Sequence, residues 1–150
     1  MKTKVLMVCL GNICRSPLAE GILASKVDSE KVYVDSAGTA GYHVGNPPDP
    51  RSIAVAKTHG LNISHQSCRK FSVEDFDEFD HIYVMDISNH ANVLSLATSE
   101  KDASKVKLLL SELDGNVKEV PDPYYGGDDG FEKVFQLIDA ACNEIAKKLT

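Results

Sequence analysis

Residues 5–17 read Val-Leu-Met-Val-Cys-Leu-Gly-Asn-Ile-Cys-Arg-Ser-Pro, and they carry the clearest structural signal in the sequence. Residues 5–8 form an unbroken apolar run, which is typical of a strand buried on both faces of a sheet. Gly11 and Asn12 break the run. Ser16 followed by Pro17 is typical of a helix N-cap with proline in the first helical position. The stretch therefore predicts a buried strand, a short loop and a helix that ends near Lys26.

The alternation of strand and helix continues along the chain. Further strands are predicted at residues 32–34, 82–85 and 106–110, with a turn at 36–38 after the second strand. Further helices are predicted at residues 51–59, 88–96 and 131–149, the last from apolar residues at helical spacing. This order favours an α/β fold, a single domain over residues 1–150 in which a four-stranded parallel sheet carries helices on both faces.

Composition and charge limit the possible partners and the compartment. The chain has 150 residues, of which 43% are hydrophobic and 25% charged, as in an ordinary globular domain. A net charge of −6 argues against nucleic acid as a partner, and the lack of a polybasic run or a long apolar stretch argues against the membrane. Four irregularly spaced cysteines and no secretory signal predict a cytoplasmic protein. We expect a monomer with no cofactor, and no metal because His and Cys show no ligand spacing.

Cys9 and Arg15 enclose the loop that follows the first strand. Ligands of open α/β folds bind at such strand-to-helix loops. Five intervening residues can curl round a tetrahedral anion with their N–H groups inward, and the Arg15 fork can bind two of its oxygens. The same N–H groups and the helix dipole favour a thiolate at Cys9. The spacing predicts a phosphate loop between strand 1 and helix 1. The alternative is a buried strand cysteine beside a solvated arginine.

Two segments far apart in the chain carry a resemblance to one family. Residues 8–17 resemble the phosphate loop of the low-molecular-weight protein tyrosine phosphatases almost residue for residue. Residues 121–126, Pro-Asp-Pro-Tyr-Tyr-Gly, resemble that family's general-acid loop. Further family landmarks lie between them in the right order, at residues 35–39, 48–51, 59–60, 79–82 and 85–86. The resemblance spans nearly the whole chain and implies a phosphatase that hydrolyses phosphotyrosyl proteins and aryl phosphate monoesters.

The resemblance also implies a role for each residue of the site. Cys9 is expected to form a phosphocysteine, Arg15 to bind the phosphate, and Asp122 to act as general acid and then base. Ser16 is expected to cap the helix and to donate its hydroxyl proton to the Cys9 thiolate. The phosphate is expected to contact the remaining loop residues, Leu10, Gly11, Asn12, Ile13, Cys14 and Ser16.

Residues outside the loop are expected to wall the pocket and support the loop. Tyr42, Tyr124 and Tyr125 offer aromatic faces to a phosphotyrosine ring, with Tyr42 where the family often has tryptophan. The resemblance further implies a polar network of Asn12, Ser36 and His65 that holds the phosphate loop open, with Asp86 helping to position the histidine.

The cysteines other than Cys9 have separate expected roles. Cys14 is a candidate resolving thiol that captures oxidised Cys9 as a disulfide, and the alternative is a small packing residue under the loop. Cys68 and Cys142 are expected to be structural.

Three other functions remain open at this point. Arsenate reductases with a similar loop need two further cysteines on a flexible segment, whereas Cys68 and Cys142 lie far apart in the sequence. In protein arginine phosphatases a threonine typically stands where this chain has Ile13. A non-enzymatic phosphopeptide-binding module needs neither a nucleophile nor an acid.

Overall fold

The sheet is built around the first strand. The computed structural model describes residues 2–125 and 128–149, without the side chains of Tyr125, Asp128 and Asp129. Within these residues one sheet contains four parallel strands, β1 (Thr3–Cys9), β2 (Val32–Gly38), β3 (His81–Val84) and β4 (Val106–Leu108). Their spatial order is β2-β1-β3-β4. The four-stranded parallel sheet predicted from the sequence is confirmed.

Helices cover both faces of the sheet, as predicted. The helices are α1 (Arg15–Lys26), α2 (Pro50–Thr58), α3 (Asp75–Glu78), α4 (Ile87–Leu94), α5 (Glu100–Ser104) and α6 (Asp128–Leu149). Short 3-10 turns lie at Leu109–Glu112 and Pro123–Tyr125. None of the helices in the described ranges combines the length and the hydropathy that a membrane span requires.

Two hydrophobic cores explain the unbroken apolar run of β1. Val5 and Met7 pack into the core that contains buried residues of α1 and α6. Leu6 and Val8 pack into the opposite core, with Phe76 of α3 and others. Because neighbouring side chains of a strand point to opposite faces, a strand buried on both faces must be apolar at every position.

The start of α1 differs from the prediction. The helix begins at Arg15, and its N-cap is Cys14, which makes no side-chain capping hydrogen bond. Ser16 therefore lies inside the first turn, and the prediction that it caps the helix is wrong. Its hydroxyl instead lies 3.0 Å from Cys9 Sγ and accepts a hydrogen bond from the Asn12 amide at 2.8 Å. The Ser16 hydroxyl therefore contacts Cys9 and Asn12 instead of a backbone N–H group of the helix.

Residues 36–38 form the end of β2 instead of the predicted turn. They continue the pairing with β1 as far as the pair of Cys9 and Gly38. A Cβ at Gly38 would lie 2.8 Å from the Leu10 carbonyl oxygen and 2.9 Å from the Asn12 nitrogen. The glycine is thus needed because the phosphate-loop backbone approaches the strand closely. At the other edge, β4 ends at Leu108, two residues earlier than predicted, and the short helices α3 and α5 were not predicted.

Candidate active site

The loop between β1 and α1 turns sharply at one buried asparagine. Asn12 has φ of 56° and is 2% exposed. This left-handed conformation is costly for most side chains, and asparagine tolerates it better than most. The Asn12 Oδ1 accepts from the Arg69 N–H at 3.0 Å, and the Asn12 carbonyl accepts from the Cys68 thiol at 2.7 Å. Cys68 and Arg69, in the segment that precedes α3, thus hold the turn at Asn12 in place.

Hydrogen bonds from surrounding segments fix the outer side of the loop. The carbonyl oxygens of Cys9 and Leu10 accept from the backbone after β2, each at 2.9 Å. The Ile13 carbonyl accepts from the Asp49 N–H at 2.8 Å. In contrast, the described part of the chain provides no hydrogen-bond acceptor for the N–H groups of residues 11–16. The loop therefore keeps a series of backbone donors for an anion, as in other nest-like sites.

The Cys9 sulfur lies at the base of this loop. Cys9 is 2% exposed and its Sγ lies 3.0 Å from the Ser16 hydroxyl oxygen. Ser16 itself is fully buried, and its hydroxyl also lies 3.4 Å from the Ala37 carbonyl oxygen. A hydroxyl donor at this distance stabilises a thiolate more than a thiol.

Arg15 is held in place by residues that follow β3 and precede Asp122. Its guanidinium Nη1 donates to Asp86 Oδ2 at 2.7 Å and to the Val120 carbonyl at 2.9 Å. Its Nη2 lies 3.7 Å from Asp122 Oδ2. The side chain is 2% exposed, so the positive charge is desolvated and two carboxylates compensate it. Asp86 therefore orients the arginine, and the prediction that it positions a histidine is wrong.

Asp122 lies on a loop that Arg51 anchors. Asp122 Oδ1 accepts from the Tyr124 N–H at 3.0 Å, and the side chain remains 31% exposed. Arg51 Nη2 donates to the Tyr124 carbonyl at 3.1 Å, and the guanidinium lies 5.4 Å from the Tyr124 ring centroid. Arg51 is in turn paired with Asp49, the N-cap of α2. Asp49 and Arg51 belong to the family landmark at residues 48–51, for which no role was predicted.

These groups surround one cavity of about 290 Å³. Its lining comprises Cys9, Leu10, Gly11, Ile13, Cys14, Arg15, Tyr42, His43, Asp122 and Tyr124. The cavity therefore brings together the three predicted catalytic residues and two of the three predicted pocket tyrosines. The side chain of Tyr125 lies outside the described residues.

His43 is a cavity residue that the sequence reasoning missed. Its ring lies edge-on to Tyr42, with centroids 6.4 Å apart, and its Cδ2 lies 3.3 Å from the position of a Cβ on Gly11. Tyr42 itself is 77% exposed. A histidine next to an exposed tyrosine in a Gly-rich loop carries no sequence signal of its own, because the fold alone brings residues 42–43 to the phosphate loop.

The polar support of the loop differs from the predicted one. Asn12 Nδ2 donates to Ser16 at 2.8 Å and to Ser36 at 3.0 Å, as expected of Asn12 and Ser36. His65, however, is exposed and makes no hydrogen bond within the described residues. The Ser36 hydroxyl donates instead to Glu20 Oε1 at 2.6 Å. The expectation for His65 is thus wrong, because the half-buried Glu20 carboxyl on α1 takes the place next to Ser36.

The cysteines around the loop are buried thiols. Cys14 lines the same cavity as Cys9, and burial, with the negative charges of Asp49, Cys9 and Asp122, raises the pKa of its thiol to about 12. Cys68 is buried behind Asn12, and burial raises the pKa of its thiol to about 11. Cys142 is fully buried on α6. Arsenate reduction of the kind considered above needs two accessible thiols besides Cys9, and both Cys68 and Cys142 are buried. The resolving role of Cys14 stays a prediction.

Comparison with known proteins decides the family. A family model described as low molecular weight phosphotyrosine protein phosphatase matches residues 4–150. The chain belongs to this family. A putative low molecular weight protein-tyrosine-phosphatase of Synechocystis is 44% identical over 97% of this phosphatase-family chain and 96% of its own.

Solved structures agree with this family. A protein tyrosine phosphatase of Entamoeba histolytica, with Hepes in its active site, superimposes with a TM-score of 0.93 and 37% identity, covering 99% of this chain and 97% of its own. An arginine phosphatase of Drosophila also superimposes on this family member, with a TM-score of 0.89 and 35% identity over 99% of this chain and 97% of its own. A protein named as a tyrosine phosphatase and one named as an arginine phosphatase thus share this fold.

Proposed function

We propose that this member of the family hydrolyses phosphotyrosine in proteins, and aryl phosphate monoesters, through a phosphocysteine on Cys9. One observation carries the proposal: Cys9, Arg15 and Asp122 line a single cavity. A nucleophile, a phosphate-binding fork and a proton donor are the groups that hydrolysis through a covalent intermediate requires.

The first half of the reaction transfers the phosphoryl group to sulfur. The Cys9 thiolate attacks phosphorus in line, so that an S–P bond forms as the bond from phosphorus to the phenolic oxygen breaks. Protonated Asp122 gives its proton to the departing oxygen and becomes a carboxylate. Arg15 and the loop N–H groups bind the other phosphate oxygens, whose charge redistributes in the transition state.

The second half releases phosphate. The Asp122 carboxylate accepts a proton from a water molecule, whose oxygen attacks phosphorus and breaks the S–P bond. The electron pair of that bond returns to Cys9 as a thiolate, and inorganic phosphate leaves. The Ser16 hydroxyl, 3.0 Å from Cys9 Sγ, stabilises the sulfur anion both as nucleophile and as leaving group.

The walls of the cavity favour an aromatic substrate. The aromatic residues Tyr42 and Tyr124 and the apolar residue Ile13 line the cavity. Planar aromatic groups gain about 0.5–1.5 kcal/mol from ring contacts beyond the area that they bury. A phosphoarginine side chain carries a polar guanidinium, which gains less against apolar Ile13. The similarity to the Drosophila arginine phosphatase nevertheless makes phosphoarginine the second candidate substrate.

A direct comparison of substrates tests the proposal. Two peptides of the same sequence, one with phosphotyrosine and one with phosphoarginine, are assayed for phosphate release with wild type and Cys9→Ser. We expect hydrolysis of the phosphotyrosyl peptide with a kcat/KM at least about a hundredfold higher than for the phosphoarginyl peptide. Preference for phosphoarginine would contradict the proposed substrate. Binding without turnover by both wild type and variant would identify a phosphopeptide-binding module.

The monomeric state and the cytoplasmic location stay predictions from the sequence. Equilibrium sedimentation over a range of concentrations tests the first, and a single mass near 16.3 kDa is the expected result.

A further inference from the structure

Hydrogen bonds around Asn12 have a defined direction. Asn12 Oδ1 accepts from the Arg69 N–H at 3.0 Å, which fixes which end of the amide is oxygen and which is nitrogen. The Asn12 Nδ2 therefore faces the two serine oxygens, Ser16 Oγ at 2.8 Å and Ser36 Oγ at 3.0 Å. Both serine oxygens accept from the same amide group.

Each serine must then donate its own proton elsewhere. The Ser36 hydroxyl donates to Glu20 Oε1 at 2.6 Å. The Ser16 hydroxyl lies 3.0 Å from Cys9 Sγ and 3.4 Å from the Ala37 carbonyl, so the sulfur is its nearer acceptor. Two branches thus leave Asn12, one ending at the Cys9 sulfur and the other at the Glu20 carboxyl.

We propose that Glu20 is a positioning residue for the reaction at Cys9. By accepting the Ser36 proton, its carboxylate keeps the Ser36 oxygen available to the Asn12 amide. The amide in turn holds the Ser16 oxygen so that the Ser16 proton is directed at the Cys9 sulfur. Glu20 does not line the cavity and acts only through this chain of hydrogen bonds. The inference rests on the proposed function, in which Cys9 reacts as a thiolate.

Loss of the acceptor has a clear physical consequence. Hydrogen bonds in a chain polarise one another, so an ionised acceptor at one end strengthens the bond from Asn12 to Ser36. A protonated Glu20 can instead donate to the Ser36 oxygen and compete with the Asn12 amide for it. Since Asn12 holds an unfavourable left-handed conformation, a weaker hold on its side chain loosens the loop beneath Cys9.

The surroundings of Glu20 make its ionisation sensitive to pH near neutrality. Burial raises the pKa of the Glu20 carboxyl to about 7, and the neighbouring charge of Asp35 on β2 acts in the same direction. The hydrogen bond from Ser36 and the positive charge of Arg69 lower it. Tyr33, also on β2, is a further titratable neighbour. The activity is therefore expected to follow the ionisation of Glu20 as well as that of the groups in the cavity.

Four variants test the inference: Glu20→Ala, Ser36→Ala, the double variant, and Glu20→Gln. Each is assayed for kcat/KM on p-nitrophenyl phosphate and for the rate at which iodoacetamide alkylates Cys9, mapped by peptide mass. Glu20→Ala and Ser36→Ala should each lower both rates about tenfold, which corresponds to one charge-assisted hydrogen bond. The double variant should be no more than about twofold worse than Ser36→Ala. Glu30→Gln, an exposed glutamate outside the network, is the matched control.

The conservative variant distinguishes positioning from mere structural support. Glu20→Gln resembles the protonated carboxyl, with an oxygen acceptor and a hydrogen-bond donor, and it does not titrate. The pH profile of Cys9 alkylation should therefore lose its inflection near pH 7, while the rate below pH 6 stays close to that of wild type. An unchanged profile, or effects of Glu20→Ala and Ser36→Ala that multiply, would overturn the inference. If Glu20→Ala does not fold, the Glu20→Gln profile decides. Alkylation needs no turnover, so a failure of the phosphatase assignment appears separately, as a wild type that hydrolyses no ester.

Discussion

Arg15 Nη1 donates a hydrogen bond to Asp86 Oδ2 at 2.7 Å, and the other oxygen of the same carboxylate caps α4 through the Asn89 N–H. The arginine proposed to bind phosphate is thus oriented by the N-terminus of the helix that follows β3. Because α4 is fixed to the sheet through buried Val93, the guanidinium is positioned before any substrate arrives.

Asp86→Asn should weaken this orientation. The variant retains an oxygen that can cap α4 but loses the charge that pairs with buried Arg15, so kcat/KM on an aryl phosphate should fall at least about tenfold. Steady-state kinetics measure this. Ser99→Ala is the control, because Ser99 caps α5 through the Asp102 N–H far from the cavity. An unchanged kcat/KM in Asp86→Asn would contradict the role of the Asp86 charge in orienting Arg15.

Gly38→Ala should disturb the phosphate loop. The new methyl group would lie 2.8 Å from the Leu10 carbonyl oxygen, so the strand or the loop must move. We expect a loss of about 1–3 kcal/mol in the free energy of unfolding, together with lower activity. Urea denaturation measures the first quantity. Gly115→Ala, where no atom lies within 4 Å of the added methyl group, is the control and should change neither.

Asp122→Asn should lose activity according to the leaving group. An amide cannot protonate the departing phenolate, and general acid catalysis contributes about a hundredfold to ten-thousandfold. The loss in kcat/KM should therefore be large for phenyl phosphate and smaller for p-nitrophenyl phosphate, whose phenolate leaves without help. Asp114→Asn, in an exposed loop, is the control. Equal losses on both esters would contradict the role of Asp122 as the acid.

Glu20 should also contribute to the pH dependence of stability. Burial raises the pKa of its carboxyl from 4.5 to about 7, so the folded state holds the proton more tightly than the unfolded chain does. This contribution is fully present below about pH 4.5 and is lost as the pH rises through about 7. Urea unfolding at several pH values should show a decline in wild type over this window that Glu20→Gln lacks. Identical slopes for the two proteins would contradict the raised pKa.

Local sequence predicts some of these features well. Short apolar runs that alternate with helical segments predict the parallel sheet. A run such as residues 5–8, which is apolar at every position, fits a strand with both faces buried, and parallel sheets consist of such strands. The spacing of Cys9 and Arg15 likewise predicts a loop that can enclose an anion. Asp122, in contrast, could be joined to that loop only through the resemblance to the family, since no local rule connects residues so far apart.

The incorrect predictions for Ser16, His65 and Asp86 have a common physical cause. Ser16 fits the pattern of a helix cap, but its hydroxyl could bond either to the backbone or to side chains, and the fold supplies Cys9 and Asn12. The sequence alone does not show whether His65 or another side chain contacts Ser36. In the structure, α1 places Glu20 next to Ser36. Asp86 and Arg51 act through partners distant in sequence. When a side chain has several possible partners, tertiary contacts determine which one it binds. A local sequence pattern does not contain that information.

The most direct test of the account is the location of phosphate on the enzyme during turnover. Wild type, Cys9→Ser and the control Cys142→Ala are mixed with a phosphotyrosyl peptide, quenched rapidly in acid and mapped by mass spectrometry. We predict one phosphoryl group on Cys9 in wild type and in Cys142→Ala, and none in Cys9→Ser, which should also be inactive. Turnover by wild type with phosphate on another residue, or continued turnover by Cys9→Ser, would contradict the account.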